Sequence, residues 1–242
     1  KAVIHAPGAK PTDKPHFYGR RRGHALGPRR RARLEAMLDR FGVTAPDMPG
    51  GNPAALFPPA TPVWLEIGFG AGEHLAAQAA AHPDIGFLGC EPFRNGVATL
   101  ARFIEDAHLT NIRVFHEDVR PLLPKLAPAV FARVFLLFPD PWPKSRHHGR
   151  RFINQENLDM LARIMRDGAE LRFASDHSDY CRWALARVRA HGAFEWTARQ
   201  AADWRERPAG AITTRYEGKA LEAGRQPLYF SFLRRSRGTE GA

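Results

Sequence analysis

Two stretches of this chain bring together residue types that could do chemistry. The first is Leu65-Glu66-Ile67-Gly68-Phe69-Gly70-Ala71-Gly72, followed by Glu73 and His74. Glycines at alternate positions let a ligand approach the backbone closely and permit φ values that other residues avoid. A dinucleotide fingerprint needs its third glycine three residues after the second, but residue 73 is Glu. A pyrophosphate would meet that carboxylate at a helix start, where it needs a cradle of N–H groups. S-adenosylmethionine has no phosphate, and its ammonium and sulfonium favour a nearby acid such as Glu66. A turn that binds nothing is the alternative for the glycines taken alone. Two further acids weigh against it. Glu91 follows the apolar run 85–90, placed to accept from ribose hydroxyls. Asp118 ends His116-Glu117-Asp118 after another apolar run, where an acid can receive the adenine amino group.

The second stretch is Phe138-Pro139-Asp140-Pro141-Trp142-Pro143-Lys144, then Ser145-Arg146-His147-His148-Gly149-Arg150-Arg151. An acid between two prolines has little backbone freedom and is pre-positioned. The turn resembles the Asn/Asp-Pro-Pro-aromatic turn of amino-group methyltransferases, where an oxygen orients the substrate nitrogen and the ring stacks on its base. Trp142 fits stacking on a base and packing in a core or interface equally well. Adjacent His147 and His148 point apart on regular backbone and no third ligand is near, so no metal site is expected. Asp176-His177 is not read as a catalytic dyad, because sequence neighbours seldom face each other.

These residues must be carried on a scaffold, and the periodicity from Val63 onward supplies one. Strands are expected at 63–67, 85–90, 112–116, 131–138 and 170–174, and helices at 73–81, 95–107, 154–165 and 179–191. Near-continuous apolar strands alternating with helices mean an α/β, mostly parallel, doubly wound sheet covered on both faces. Residues 194–198 and 228–234 look like two antiparallel strands, with no strong helix between them. In such a sheet ligands bind beyond the carboxyl ends of the strands, where the acids fall. Upstream, residues 29–41 carry Leu34, Met37, Leu38 and Phe41 at helical spacing. Residues 42–62, with Gly42, Gly50, Gly51 and six prolines, read as a linker. The expected division is therefore a basic arm, helix and linker over 1–62, a main domain over 63–235 and a tail over 236–242.

Charge separates along the same lines. The 242 residues hold 36 Lys and Arg against 25 Asp and Glu, a formal +11. Residues 1–40 contribute +8, residues 41–140 contribute −4, and the short loop 141–151 adds +4 without an acid. A mildly acidic centre suits a cationic or neutral small ligand, and basic flanks suit a polyanion or serve as a solvated tail. The apolar run 134–138 is far short of the roughly 20 residues that span a bilayer. Cys90 and Cys181, the only two cysteines, exclude a disulfide scaffold and point to a reducing, cytoplasmic setting.

In Pro139-Asp140-Pro141-Trp142-Pro143-Lys144, Arg146-His147-His148, Arg150-Arg151, Ser175-Asp176 and Thr214-Arg215-Tyr216-Glu217, the chain resembles the bacterial tRNA (guanine-N7)-methyltransferase family. The Leu65–Gly72 turn and the arm Phe17-Tyr18-Gly19-Arg20-Arg21-Arg22-Gly23 extend the likeness to about residues 17–235. The resemblance implies a Rossmann-like class I methyltransferase fold closed by a C-terminal antiparallel hairpin, S-adenosyl-L-methionine as cofactor and tRNA as partner. It implies that Glu66, Gly68, Gly70, Glu91, Asp118 and Asp140 form the cofactor site, with Asp140 also catalytic. Lys144, Asp176, Thr214, Arg215, Tyr216 and Glu217 would hold the guanosine or its surroundings. Arg20, Arg21, Arg22, Arg146, Arg150 and Arg151 would meet phosphates. A methyltransferase acting on an exocyclic amine, or a non-catalytic RNA-binding protein on the same fold, are the other readings. Monomer and homodimer stay equally open.

Overall fold

The structure, a computed structural model, describes residues 18–238. Phe17 of the expected arm, the rest of residues 1–17, and 239–242 of the expected tail lie outside them. Seven strands form one sheet: β1 (Val63–Ile67), β2 (Gly86–Cys90), β3 (Ile112–Phe115), β4 (Phe131–Leu137), β5 (Met165–Ser175), β6 (Phe194–Trp196) and β7 (Leu228–Arg234). Their order is β3-β2-β1-β4-β5-β7-β6. The first five run parallel and β7 is antiparallel to both its neighbours. Chain order reverses between β1 and β4, so a crevice opens beyond their carboxyl ends.

Crossovers come from α2 (Glu73–Ala81), α3 (Arg94–Asp106), α4 (Gln155–Ile164) and α5 (Ser178–Ala190). β1 and β2 are buried at every residue, as expected of strands covered on both faces. One apolar layer gathers Leu75, Val97, Leu100 and Phe135 on the side of α2 and α3. The other gathers Leu158, Leu161, Tyr180 and Phe173 under α4 and α5.

The segment before β1 belongs to this body. Helix α1 (Pro28–Phe41) has Pro at its first turn, where the missing N–H costs nothing. It buries Leu34, Met37 and Phe41 in the same layer as α3. Val43 N–H then donates to the Val114 carbonyl at 2.9 Å, extending the sheet beyond β3. Residues 45–56 form three short 3₁₀ turns.

Two helices occupy the excursion between β6 and β7, where no strong helix was expected: α6 (Ala202–Arg205) and α7 (Arg215–Glu222). Thr214 caps α7, its hydroxyl accepting from Glu217 N–H at 3.2 Å. No helix among the described residues is long and apolar enough to cross a membrane.

Candidate active site

The strand tips bring the expected acids around one turn. Gly68 and Gly70 have φ of 71° and 60°, the left-handed region that a side chain disfavours. A Cβ on Gly68 would meet nothing within 4 Å, so this edge of the turn faces open space. Against Gly70 lies the ring of Tyr216, 3.0 Å from where a Cβ would stand. Helix α3 approaches the same turn from behind, and a Cβ on Gly96 would fall 2.0 Å from the Gly70 carbonyl oxygen.

Glu91, at the tip of β2, braces the turn. One carboxylate oxygen accepts from Gly70 N–H at 2.8 Å and the other from Phe93 N–H at 2.8 Å. Burial pushes its pKa up to about 7, against the pull of those two donors; the charges of Asp140 and Glu66 push the same way. Glu66 is 3% exposed and accepts from or shares a proton with His74 Nδ1 at 2.8 Å. Sequence reading did not single out His74 as a partner. Asp118 is 9% exposed and both its oxygens bond Arg120 Nε at 3.0 Å, so an adenine amine would share that carboxylate with Arg120.

The Asp140 turn is strained at both ends. Phe138 and Trp142 have φ of 49° and 44°, rare for bulky residues. Phe138 N–H still donates to the Ala174 carbonyl at 2.8 Å, so β4 holds its register to the turn itself. Asp140 is exposed on the turn. Enough protein nevertheless surrounds its carboxyl for desolvation to raise its pKa above the ordinary carboxylate range. The Tyr216 phenol is likewise raised, by burial and then by the charges of Glu91 and Asp140.

The expected guanosine residues converge from two sides. Asp176, at the tip of β5, is tied to Arg225 just beyond α7 at 2.6 Å. Thr214, Arg215, Tyr216 and Glu217 form the cap and first turn of α7. Arg215 and Tyr216 are exposed there, while Glu217 is 2% exposed. Its Oε1 takes both Arg207 Nε at 2.7 Å and the Tyr229 hydroxyl at 2.5 Å. A cavity of about 360 Å³ opens beside Glu217 under residues 200–214, also lined by His74, Phe138, Arg207, Thr214 and Tyr229. Lys144 is exposed on the loop.

Of the expected phosphate contacts, Arg20, Arg21, Arg22 and Arg146 are exposed. Arg150 is half-buried, its guanidinium 4.6 Å from the Tyr18 ring centre and 5.0 Å from that of Trp142. Arg151 must be corrected. Its side chain is fully buried, with Nε on the Pro141 carbonyl at 2.8 Å and Nη2 on Asp179 at 2.5 Å. A guanidinium so enclosed has no path to a phosphate.

The arm is clasped to the same edge. Arg94 N–H donates to the Arg21 carbonyl at 3.0 Å, and Asn95 bonds Gly23 N–H at 2.9 Å and the His24 carbonyl at 2.8 Å. Residues 18–24 therefore run from the start of α3, after β2, to Trp142 beyond β4, with the β1 turn between. Among the described residues no cluster of His, Cys, Asp or Glu is arranged to hold a metal.

Does the site fit S-adenosylmethionine? Gly68, left-handed and open to space, acids at the tips of β1 and β2, and a topological switch beside them fit a donor with an ammonium, a sulfonium and a ribose. Fold and site together define a class I methyltransferase. The 16S rRNA methyltransferase KamB has this fold, with a TM-score of 0.53 at 16% identity over 72% of this chain and 88% of that one. A family model described as "Putative methyltransferase" matches residues 60–229. The tRNA (guanine-N(7)-)-methyltransferase of Rhodospirillum rubrum is 50% identical over 96% of this chain and 92% of its own length. That of Paramagnetospirillum magneticum is 48% identical over 95% and 97%. The chain belongs to the tRNA (guanine-N7)-methyltransferase family.

Proposed function

We infer that this protein transfers a methyl group from S-adenosylmethionine to N7 of a guanosine in tRNA, at position 46 of the variable loop, in the cytoplasm. The observation that carries the reading is the crowding at Gly70, where Glu91 accepts from the glycine N–H at 2.8 Å and the Tyr216 ring of the α7 first turn lies against the same residue. The names of relatives alike over nearly the whole chain support the same substrate.

Bound S-adenosylmethionine supplies a methyl group on a positively charged sulfur. Glu91 and Glu66 offer the carboxylates that hold its ribose and amino groups, and Gly68 leaves room for it. Guanine N7 carries no proton, so its lone pair needs no general base. The chain's task is to orient N7 and to stabilise positive charge moving onto the purine. Asp140, on a turn with little freedom, does this at the strand tip. Asp176 and the first turn of α7 present acceptors for guanine N1–H and N2–H₂. Lys144, Arg146 and the exposed arginines of the arm meet the RNA backbone on the same edge.

The test uses labelled S-adenosylmethionine and tRNA lacking 7-methylguanosine, followed by reductive strand cleavage selective for that base. Cleavage at one variable-loop guanosine is the expected result. Incorporation without cleavage moves the chemistry to another atom, the exocyclic-amine reading, and no incorporation favours a binding role.

A further inference from the structure

Arg151 is the largest side chain buried to this degree among the described residues, and its contacts fall on the turn that carries Asp140. Its strongest backbone bond goes to the carbonyl of Pro141, the residue directly after Asp140. Nη2 reaches toward the next carbonyl, of Trp142, at 3.5 Å. These two carbonyls lie where the turn is strained, at Trp142 with φ of 44°. Backbone in this region costs about 1–3 kcal/mol and persists only where its surroundings hold it.

Helix α5 supplies the holding. Asp179 takes the other side of the guanidinium, and its carboxyl is kept below the ordinary range chiefly by that bond. The guanidinium carbon stands 4.8 Å from the Trp183 ring centre and 5.1 Å from that of Tyr180. Trp183 Nε1 donates to the Ile153 carbonyl at 2.8 Å and the Tyr180 hydroxyl accepts from Ile153 N–H at 3.3 Å, so α5 also fixes the chain just beyond Arg151. Stability alone does not account for the arrangement. Nη1 is buried without a partner among the described residues, a cost of about 1–3 kcal/mol.

We propose that Arg151 is a positioning residue for the methyl transfer: anchored by Asp179, Tyr180 and Trp183, it holds the Pro141 and Trp142 carbonyls and thereby fixes where Asp140 stands. The proposal rests on the catalytic reading of Asp140 given above. Lysine at 151 keeps the charge but cannot bond Pro141 and Asp179 through one planar fork.

Its test is a double-mutant cycle on the full chain, with kcat on unmodified tRNA and S-adenosylmethionine Kd by calorimetry for each variant. Arg151→Lys is expected to lower kcat by about 10- to 100-fold, the scale of a misplaced group, while Kd moves less than about threefold. In an Asp140→Asn background the same change should cost less than about twofold, since the group it positions has gone. Full additivity, an unchanged kcat, or a Kd loss matching the kcat loss would overturn the proposal. A normal kcat for Asp140→Asn alone would instead remove the reading of Asp140 on which it stands. Should Arg151→Lys not fold, Asp179→Asn loosens the same anchor from its exposed end. Its smaller kcat loss must also vanish in the Asp140→Asn background, and persistence there overturns the proposal equally.

Discussion

His74 Nδ1 lies 2.8 Å from Glu66 Oε2, and both side chains are almost wholly enclosed. Glu66, which the proposed function assigns to the donor's amino group, is thus held by the first turn of α2. Removing the imidazole leaves a buried carboxylate without this partner, a loss of about 1–3 kcal/mol. His74→Ala should lower stability to urea by that amount and raise the KM for S-adenosylmethionine, whereas His74→Asn should retain most of both. An alanine variant with normal stability and KM would show that Glu66 does not depend on His74.

Gly96 presents two opposed effects. Alanine in a helix interior is ordinarily favoured over glycine by about 1 kcal/mol. Here its Cβ would fall 2.0 Å from the Gly70 carbonyl oxygen, which is backbone and cannot swing aside. Overpacking of that kind costs about 1–3 kcal/mol, so the clash wins. Gly96→Ala should lower Tm and raise the KM for S-adenosylmethionine by displacing the turn, with kcat on saturating donor least affected. A raised Tm would sink this account.

The pKa of Glu91 gives a pH signature. Between 4.5 and about 7 the folded protein keeps a proton that the unfolded chain has released; above about 7 both have lost it. Stability of the free protein should therefore fall as pH rises from about 5 to 8, by at most about 3 kcal/mol from this group. Donor affinity should move the opposite way, improving as the carboxylate forms. Denaturation and calorimetry across that range check both, and Glu91→Gln should flatten them together.

Asp140→Ala should lower kcat by about 10² to 10³, the usual effect of losing one well-placed electrostatic group. Because its folded pKa is raised, activity should fall on the acid side earlier than an ordinary Asp would dictate, and that limb should be missing in Asp140→Asn. Near-normal turnover in the alanine variant would falsify the role.

Arg20, Arg21, Arg22, Lys144 and Arg146 stand exposed on the same edge as the site. Were all of them to meet phosphates, the logarithm of tRNA affinity should fall with that of salt at a slope of about −4, at −0.7 to −0.9 per contact. Replacing Arg20 and Arg22 with Ala should flatten it by about 1.5. A flat response in the parent would remove the arm and loop from the interface.

Strands and helices with strong periodicity were legible almost to the residue: β1, α2 and β7 fall where the pattern puts them. The excursion after β6 was not. Helix α7 is only eight residues long and contains Gly218, although Thr214 followed by Glu217 is a capping signature that marks its start. Arg151 misled for a different reason. In a run of basic residues one arginine looks like the next, and only α5, from 28 residues downstream, encloses this one. Residues 42–62 read as a linker by composition, yet Met48 and Pro53 are buried, because prolines can line a core as well as a loop. The acids at the strand tips were visible individually; their partners His74 and Arg120 depend on contacts no spacing rule supplies.

The position of β7 between β5 and β6 bears on how the chain reaches this state. During synthesis β5 emerges with one edge unpaired, and β6 has no neighbour to join until residues 228–234 follow. Until then the β5 edge, with Phe173 and Leu171 on it, is open to other chains. The last strand therefore acts as the closing step of folding, and changes in it should show first as aggregation of newly made protein and only later as a slower enzyme.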